Sequence, residues 1–552
     1  MTDAESDSRA QSRSLRTLIA LDGDALPADI RAYHQRTKHA PTRYALGPAF
    51  LDWTSQPNPY RRFEGAPLVE LPLRDAEETP PFPGPAPTPA PLSRAALGLF
   101  CELGFGLSAW KSVEGSTWAL RNNPSSGNLH PTEAYLLTNA IPDLGPRAAL
   151  YHYAPEYHLL EERARYEADA LPEGGFLLGL SAIAWRESWK YGERAYRYCQ
   201  LDAGHAIGAA AQAAAALGWR AEVLTEPSDD EVAALIGLDR ADAWRRREEE
   251  HPDALLWIST SENSQTPDLS SLLAAPRQWS GKANQVSDDH DGWPVVDQAP
   301  RLCRKPRMSP PSPPAAHPAR QAPYASQIGE VVRKRRSAQK MDGVAILSRE
   351  NFRAMLMATL PGAEPLLAAF SWRPALSLLL YVHRVERVEP GLYLLPRDED
   401  VAARLRAAAA PDLAWTPVDL NGFEIFLLRS GSFEREAAQM ACLQPIAGKG
   451  CFAVAMIADF DRALVEEGGF AYRRLHWEAG LIGQALYLWA TAAGLSGTGI
   501  GCFFDDEVHR LIGLSPDGDL FQDIYHFTVG GPLEDVRIAT LPAYPPELRE
   551  RA

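Results

Sequence analysis

Four stretches of this chain carry side chains whose types and spacing could do chemistry. The first, RNNPSSGNLHPTEAYLL, runs from Arg121 to Leu137 and packs a cation, amide and hydroxyl groups, a glycine and two prolines into eleven residues before turning apolar. Pro124 and Pro131 fix φ, and Gly127 permits backbone shapes closed to other residues, so a rigid, tightly turned loop is expected. Ser125, Ser126 and Asn128 offer hydroxyl and amide groups, while Gly127 lets a ligand approach the backbone. Taken alone, the same residues also read as a capped turn ahead of the buried strand AYLL. The second stretch, WKYGERAYRY (189–198), sets Lys190 beside Tyr191. Adjacent residues diverge by roughly 100° on a helix and 180° on a strand, so both can face one ligand only at a turn, which Gly192 supplies. The plain alternative is a surface pair. The third, VVRKRRSAQKMDG (331–343), gathers Arg333, Lys334, Arg335, Arg336, Ser337, Gln339 and Lys340 ahead of a helical pattern. Cations around a hydroxyl suit phosphate, because charge-assisted bonds to phosphate oxygens are strong; a solvated basic helix face is the bland reading. A similar run, YHQRTKHAPTRY (33–44), holds Arg36, Thr37, Lys38 and His39. The fourth is GLSGTGIGCFFDDEV (494–508). A dinucleotide fold would need a strand before its glycines, but here a helix precedes them, leaving a glycine loop whose bare backbone can meet a flat ring.

The PSSG string resembles the proline-serine-small-glycine-leucine-tyrosine-proline signature of nitroreductase-like flavoenzymes, in the branch that includes SagB-type thiazoline and oxazoline oxidases. His130 stands where that branch usually carries tyrosine. The resemblance implies FMN, with Pro124, Ser125, Ser126, Gly127 and Asn128 against the isoalloxazine and ribityl chain. It implies a phosphate clamp at Arg335, Ser337 and Gln339, the last replacing a usual cation. It also implies ring contacts at Gly499, Ile500 and Gly501, where backbone N–H groups would favour the reduced flavin. Arg537, in YHFTVGGPLEDVRI (525–538), matches a closing-strand arginine that helps hold phosphate in such domains. The azoline oxidase branch carries a lysine-tyrosine pair just before the long helix. By that resemblance Lys190 would accept a Cα proton, if desolvation keeps it partly neutral, and Tyr191 would donate to substrate or relay a proton.

The elements that must position these groups occur twice. AYRYCQLDAG (195–204) recurs as AYRRLHWEAG (471–480), and DDEVAALIGL (229–238) as DDEVHRLIGL (505–514), both 276 residues apart without a gap. One helix-turn-helix arrangement is therefore built twice, and the chain reads as a fused pair of one domain type. The nitroreductase resemblance makes that an α+β fold, two domains each with a central mixed sheet flanked by helices, forming a single-chain pseudodimer. The expected divisions are a disordered N-terminus (1–28), a first domain (29–276), a proline-rich linker (277–323) and a second domain (324–552). Within the first, residues 54–91 read as a proline-rich surface excursion, a helical period starts at Leu92, and AYLLTN (134–139), ALYHYAP (149–155) and ALLWIST (254–260) read as strands. The long small-residue helix from about Tyr196 should lie at a packed interface. The first copy lacks the glycine loop. The second lacks a PSSG loop, its counterpart being SWRPALSL (371–378).

Composition bounds the rest. The 552 residues are 45% hydrophobic and 23% charged, with net charge −16, which disfavours nucleic acid or an anionic membrane as partner. The six cysteines show no CxxC or paired histidine spacing, so neither a metal site nor a disulfide framework is expected. MTDAESDSRAQSRS has no apolar core of a secretion signal, and no run is long enough to span a bilayer, so a cytoplasmic location is expected. The expected reaction is FMN-dependent dehydrogenation of a C–N bond in a peptide-derived heterocycle, azoline to azole, with O2 reoxidising the flavin. The substrate would be a small molecule or modified peptide, with peptide-modifying proteins as partners. An NAD(P)H-dependent nitro, quinone or enone reductase, and a non-catalytic flavin-binding subunit, are the alternatives.

Overall fold

The computed structural model describes residues 25–75, 78–167, 171–243, 248–288, 292–314, 326–515 and 518–545. Most of the N-terminal segment and part of the linker therefore lie outside the described residues. Two long helices, Ala195–Ala215 and Phe470–Ala492, pack against each other at the centre. They touch through backbone where a side chain cannot fit. A Cβ on Gly204 would collide with Trp477 O and lie 2.9 Å from Gly480 Cα; one on Gly480 would lie 2.8 Å from Gly204 Cα. These glycines are the two ends of the 276-residue repeat, so the approximate two-fold axis passes between them.

Each half folds a sheet around this helix pair. The first sheet runs Arg220–Val223, His251–Ser259, Gly175–Ala182, Thr132–Thr138, Ala149–Ala154, Leu159–Tyr166, Arg277–Trp279, with Leu68–Glu70 also on Leu159–Tyr166. The second runs Thr416–Asp419, Glu424–Ser430, Gly391–Leu395, Leu376–Val382, Phe452–Ala458, Gln522–Gly530, Ser496–Ile500. The central strands are buried throughout, which is why TEAYLLT and LSLLLYV are apolar on both faces. Neighbouring strands within both large sheets are antiparallel. The mixed character expected of them is limited to isolated parallel bridges, Ser337 with Gly497 and Leu347 with Val385.

The repeated motifs turn out to be reciprocal ion pairs. Arg197 of the first half pairs with Asp505 of the second at 2.6 Å, and Arg473 of the second with Asp229 of the first at 2.6 Å, all four residues little exposed. Each AYR thus reaches across to the other half's DDEV. The halves also exchange edges. Ala539–Leu541 adds to the hairpin Leu107–Val113 and Ser116–Arg121, and Ser326–Gln327 pairs with Pro81–Phe82. Leu107 N–H donates to the Tyr544 hydroxyl at 2.7 Å.

Three expectations need adjusting. The helical period after Leu92 ends at Phe105, capped at its start by Ser93, and LSAWKSV is a strand. Residues 277–302 are not bare linker, because Arg277–Trp279 and Lys282–Ala283 pair with first-half strands and Pro294–Leu302 is a helix burying Val295, Val296 and Ala299. Within 54–91, Phe63 and Phe82 are buried, so that stretch is partly core rather than a surface excursion.

Candidate active site between the halves

The PSSG loop leaves strand Ser116–Arg121 and makes one tight turn at Ser126–Asn128, with left-handed φ at Gly127 (60°), Asn128 (61°) and His130 (52°). Its own side chains hold it. The Ser125 hydroxyl accepts from His130 N–H at 2.8 Å, and Asn128 donates to Ala119 O at 2.8 Å. Asp202, on the first long helix, accepts from both the Ser126 amide and its hydroxyl at 3.1 Å. Burial nonetheless pushes the Asp202 carboxyl up to about 7. Glycine is required at 127 for a second reason. A Cβ there would sit 2.5 Å from the Tyr191 hydroxyl and 3.1 Å from Lys190 Nζ.

Lys190 and Tyr191 therefore lie against the loop. They close helix Ala184–Tyr191, which Gly192 terminates at φ 54°. A Cβ on Gly192 would strike Leu46 O, and Glu193 N–H donates to Leu46 O at 2.9 Å, so segment 44–53 straps this helix end. Along the strap, Leu46, Phe50 and Trp53 remain exposed, with Trp53 edge-on to the buried Trp189. The Tyr191 ring packs on Tyr198 at 4.5 Å, and the Tyr198 hydroxyl donates to Gly501 O at 3.2 Å. Burial, then the nearby Glu187, raises the Tyr191 phenol well above its ordinary value; Glu187 is itself raised by burial and by Asp202.

The second half brings up Arg335. This residue follows helix Ile328–Lys334 and is 4% exposed. Its Nε donates to Asn122 O at 3.1 Å and one Nη to Arg121 O at 3.0 Å, just ahead of Pro124, while its plane lies over Tyr487. No carboxylate among the described residues pairs with it, and its other Nη is buried without a partner. Asn122 Oδ1, Asn123 Oδ1 and His130 Nδ1 are likewise buried and unpaired. Burial, then Arg121, Arg186 and Arg335, hold His130 well below the usual imidazole range. A buried cation left without an acid is expensive unless an anion arrives. Ser337 and Gln339 stay exposed beside it, Ser337 Oγ lying 2.7 Å from the Tyr487 hydroxyl. Gly499 and Ile500 belong to the edge strand Ser496–Ile500 rather than to a loop, and Gly501 follows it. The Gly499 amide donates to the Tyr487 hydroxyl at 2.9 Å, and side chains at 499 or 501 would collide with Tyr525 and Tyr198.

The Nitroreductase family profile matches residues 109–245 and 332–531, one stretch in each half and together more than half of the chain. The chain belongs to the nitroreductase family. Among solved structures, a candidate nitroreductase from Anabaena variabilis aligns with a TM-score of 0.62 at 23% identity, covering 91% of this chain and 99% of that one. That likeness is one of fold and spans both halves at once. Shorter alignments reach a candidate nitroreductase from Ralstonia eutropha (TM-score 0.28, 14% identity, 42% of this chain and 98% of that). Another reaches an Escherichia coli microcin synthetase McbBCD complex with truncated pro-MccB17 bound (TM-score 0.26, 20% identity, 36% and 75%). No curated protein matches the sequence.

In this nitroreductase-family chain the two-fold-related position is built differently. Lys38 pairs with Asp506 at 2.8 Å, Arg36 with Glu193 at 2.6 Å, and the Thr37 hydroxyl donates to Tyr33 O at 2.8 Å. Glu478, the repeat counterpart of Asp202, accepts from Ala375 N–H at 3.1 Å and pairs with Arg397. Strand Leu376–Val382 starts at the next residue, so no loop intervenes there. The Arg537 side chain is 74% exposed and paired with Asp535. Asp202, Tyr198 and Tyr487 were not anticipated from sequence. Only Asp202 left a signal, an acid at the same register of both repeats (Asp202 and Glu478).

Proposed function

We propose that this oxidoreductase binds one FMN between its halves and dehydrogenates a peptide-derived azoline to an azole, with O2 as final acceptor. The observation that carries the reading is Arg335, a buried cation with no carboxylate partner among the described residues, placed by one half against the PSSG loop of the other. Arg335, Ser337 and Gln339 would hold the phosphate. Pro124, Ser125, Ser126, Gly127 and Asn128 would line one side of the ring, and Gly499, Ile500 and Gly501 the other. FMN, when bound, supplies the acceptor for a hydride.

The chain's own residues supply the rest. Lys190 takes the Cα proton of the ring, and its helix end is fixed by Gly192 and the strap at Leu46. Tyr191, kept protonated by burial and held by Tyr198, donates to substrate. Asp202 fixes the loop that both face. Exposed Leu46, Phe50 and Trp53 offer an apolar mouth of the kind that marks ligand contact. An azoline already contains its C=N bond, so the bond unsaturated is ring Cα–Cβ, which refines the expectation of C–N oxidation. The test is anaerobic mixing of the yellow protein with an azoline peptide and, separately, with NADPH. Bleaching by the azoline alone is expected. Bleaching by NADPH alone would make the protein a reductase of nitro, quinone or enone compounds; a flavin inert to both would make it a binding subunit of a peptide-modifying assembly.

A further inference from the structure

Beside the Gly499–Gly501 run lie two cysteines that the proposed chemistry does not use. Cys502 follows Gly501, and Cys442 sits in a left-handed turn (φ 51°, with Leu443 at 60°) after helix Glu434–Met440. Two bonds clamp these segments together: Phe504 N–H donates to Met440 O at 2.8 Å, and the Gln444 side chain donates to Cys502 O at 3.1 Å. Cys442 lies between Met440 and Gln444, so these two bonds bring it to face Cys502, and both thiols are partly exposed to solvent, next to the open Leu443. The other four cysteines are buried. We propose that Cys442 and Cys502 form a peroxide-oxidised dithiol, closing to a disulfide that fastens the glycine edge strand to the turn at 442.

The surroundings make Cys502 the attacking sulfur. His39 Nδ1 accepts from Ala45 N–H at 2.9 Å, which leaves the ring proton on Nε2, free to donate to Cys502. Cys442, then His39 and the charge of Arg194, hold the Cys502 thiol well below its ordinary range, while Cys502, then burial, push Cys442 up. A thiolate with a neighbouring resolving thiol is the arrangement of redox-active pairs. Cys502 sulfur attacks one peroxide oxygen, the O–O bond breaks, and a sulfenic acid and water result. Cys442 sulfur then displaces the hydroxyl as a second water. Two thiols and one hydrogen peroxide thus become one disulfide and two waters. The thiolate lost in this step lies near Tyr191 and Tyr198. An O2-reoxidised flavin in the proposed site would release peroxide next to the pair, yet the thiol chemistry does not depend on that reading.

The test uses the full-length protein, added hydrogen peroxide and thiol mapping by mass spectrometry under non-reducing conditions. The expected result is loss of two thiols per chain and a Cys442–Cys502 linkage that dithiothreitol reverses. In Cys442→Ser, dimedone should trap a sulfenic acid at Cys502, whereas in Cys502→Ser, Cys442 should stay reduced. Oxidation that leaves these two unlinked in the wild type, or that consumes them no faster than buried Cys451, overturns the proposal, with no need for the variants to fold. Linkage by added peroxide in a protein inert to azolines would uphold it and fail only the catalytic reading.

Discussion

At Lys190 a helix ends with its amine against a glycine that has room for no side chain. If that amine is the base, Lys190→Ala should keep the flavin and lose turnover by about 10²–10⁴, the usual contribution of a positioned base. Tyr191→Phe should lose less; a flavin-replete Lys190→Ala variant with near wild-type rate would remove the pair from the mechanism. Asp202 makes a different prediction. Its carboxyl is raised to about 7 by burial, above an unfolded value of about 3.9, so the folded chain binds the extra proton between these values. Its contribution to stability is therefore greatest in acid and declines as pH rises to about 7. In cofactor-stripped protein the melting temperature of wild type should fall relative to Asp202→Asn over that window; parallel curves would contradict it. At this scale legibility followed chain distance. Ser125, Gly127, Lys190 and Tyr191 were readable because each motif is contiguous. Asp202 and Tyr198 hold backbone far away in sequence, and Tyr487 joins Gly499 to the distant Ser337 side chain; a motif does not show what it is held by.

Among the elements, the repeated helix and turn explain why two motifs recur in register. AYR and DDEV are the two ends of ion pairs crossing the two-fold axis in opposite senses, Arg197 to Asp505 and Arg473 to Asp229. Removing one partner of such a buried pair typically costs about 3–5 kcal/mol, since the other charge stays buried. Arg473→Ala, which leaves Asp229 without its arginine, should therefore cost about that much in urea unfolding, and Arg197→Ala less, because Asp505 keeps Arg194 at 2.9 Å. A loss for Arg197→Ala as large as that for Arg473→Ala would show that Arg194 does not compensate. Strands such as TEAYLLT and the two long helices were legible as apolar runs and small-residue periodicity. The additions at 277–302 were not, because two very short strands and a proline-bearing helix resemble linker in composition.

Over the whole molecule, the two copies of the domain carry different groups. The first holds the PSSG loop and the lysine-tyrosine pair; the second brings up the glycine edge and Arg335, which has no carboxylate partner among the described residues. In the mirror position Lys38 and Arg36 are neutralised by Asp506 and Glu193, and strand Leu376–Val382 starts where a loop would be. Two domains were legible in the sequence from the repeat alone. The meeting of Arg335 with the backbone before Pro124, on which the proposal of a single composite site rests, was visible only in space. The most direct measurement is released FMN against protein for the wild type, Arg335→Ala and Lys38→Ala. One FMN per chain is expected, stripped by Arg335→Ala and retained by Lys38→Ala. Two FMN per chain, or loss through Lys38 and not Arg335, would contradict it.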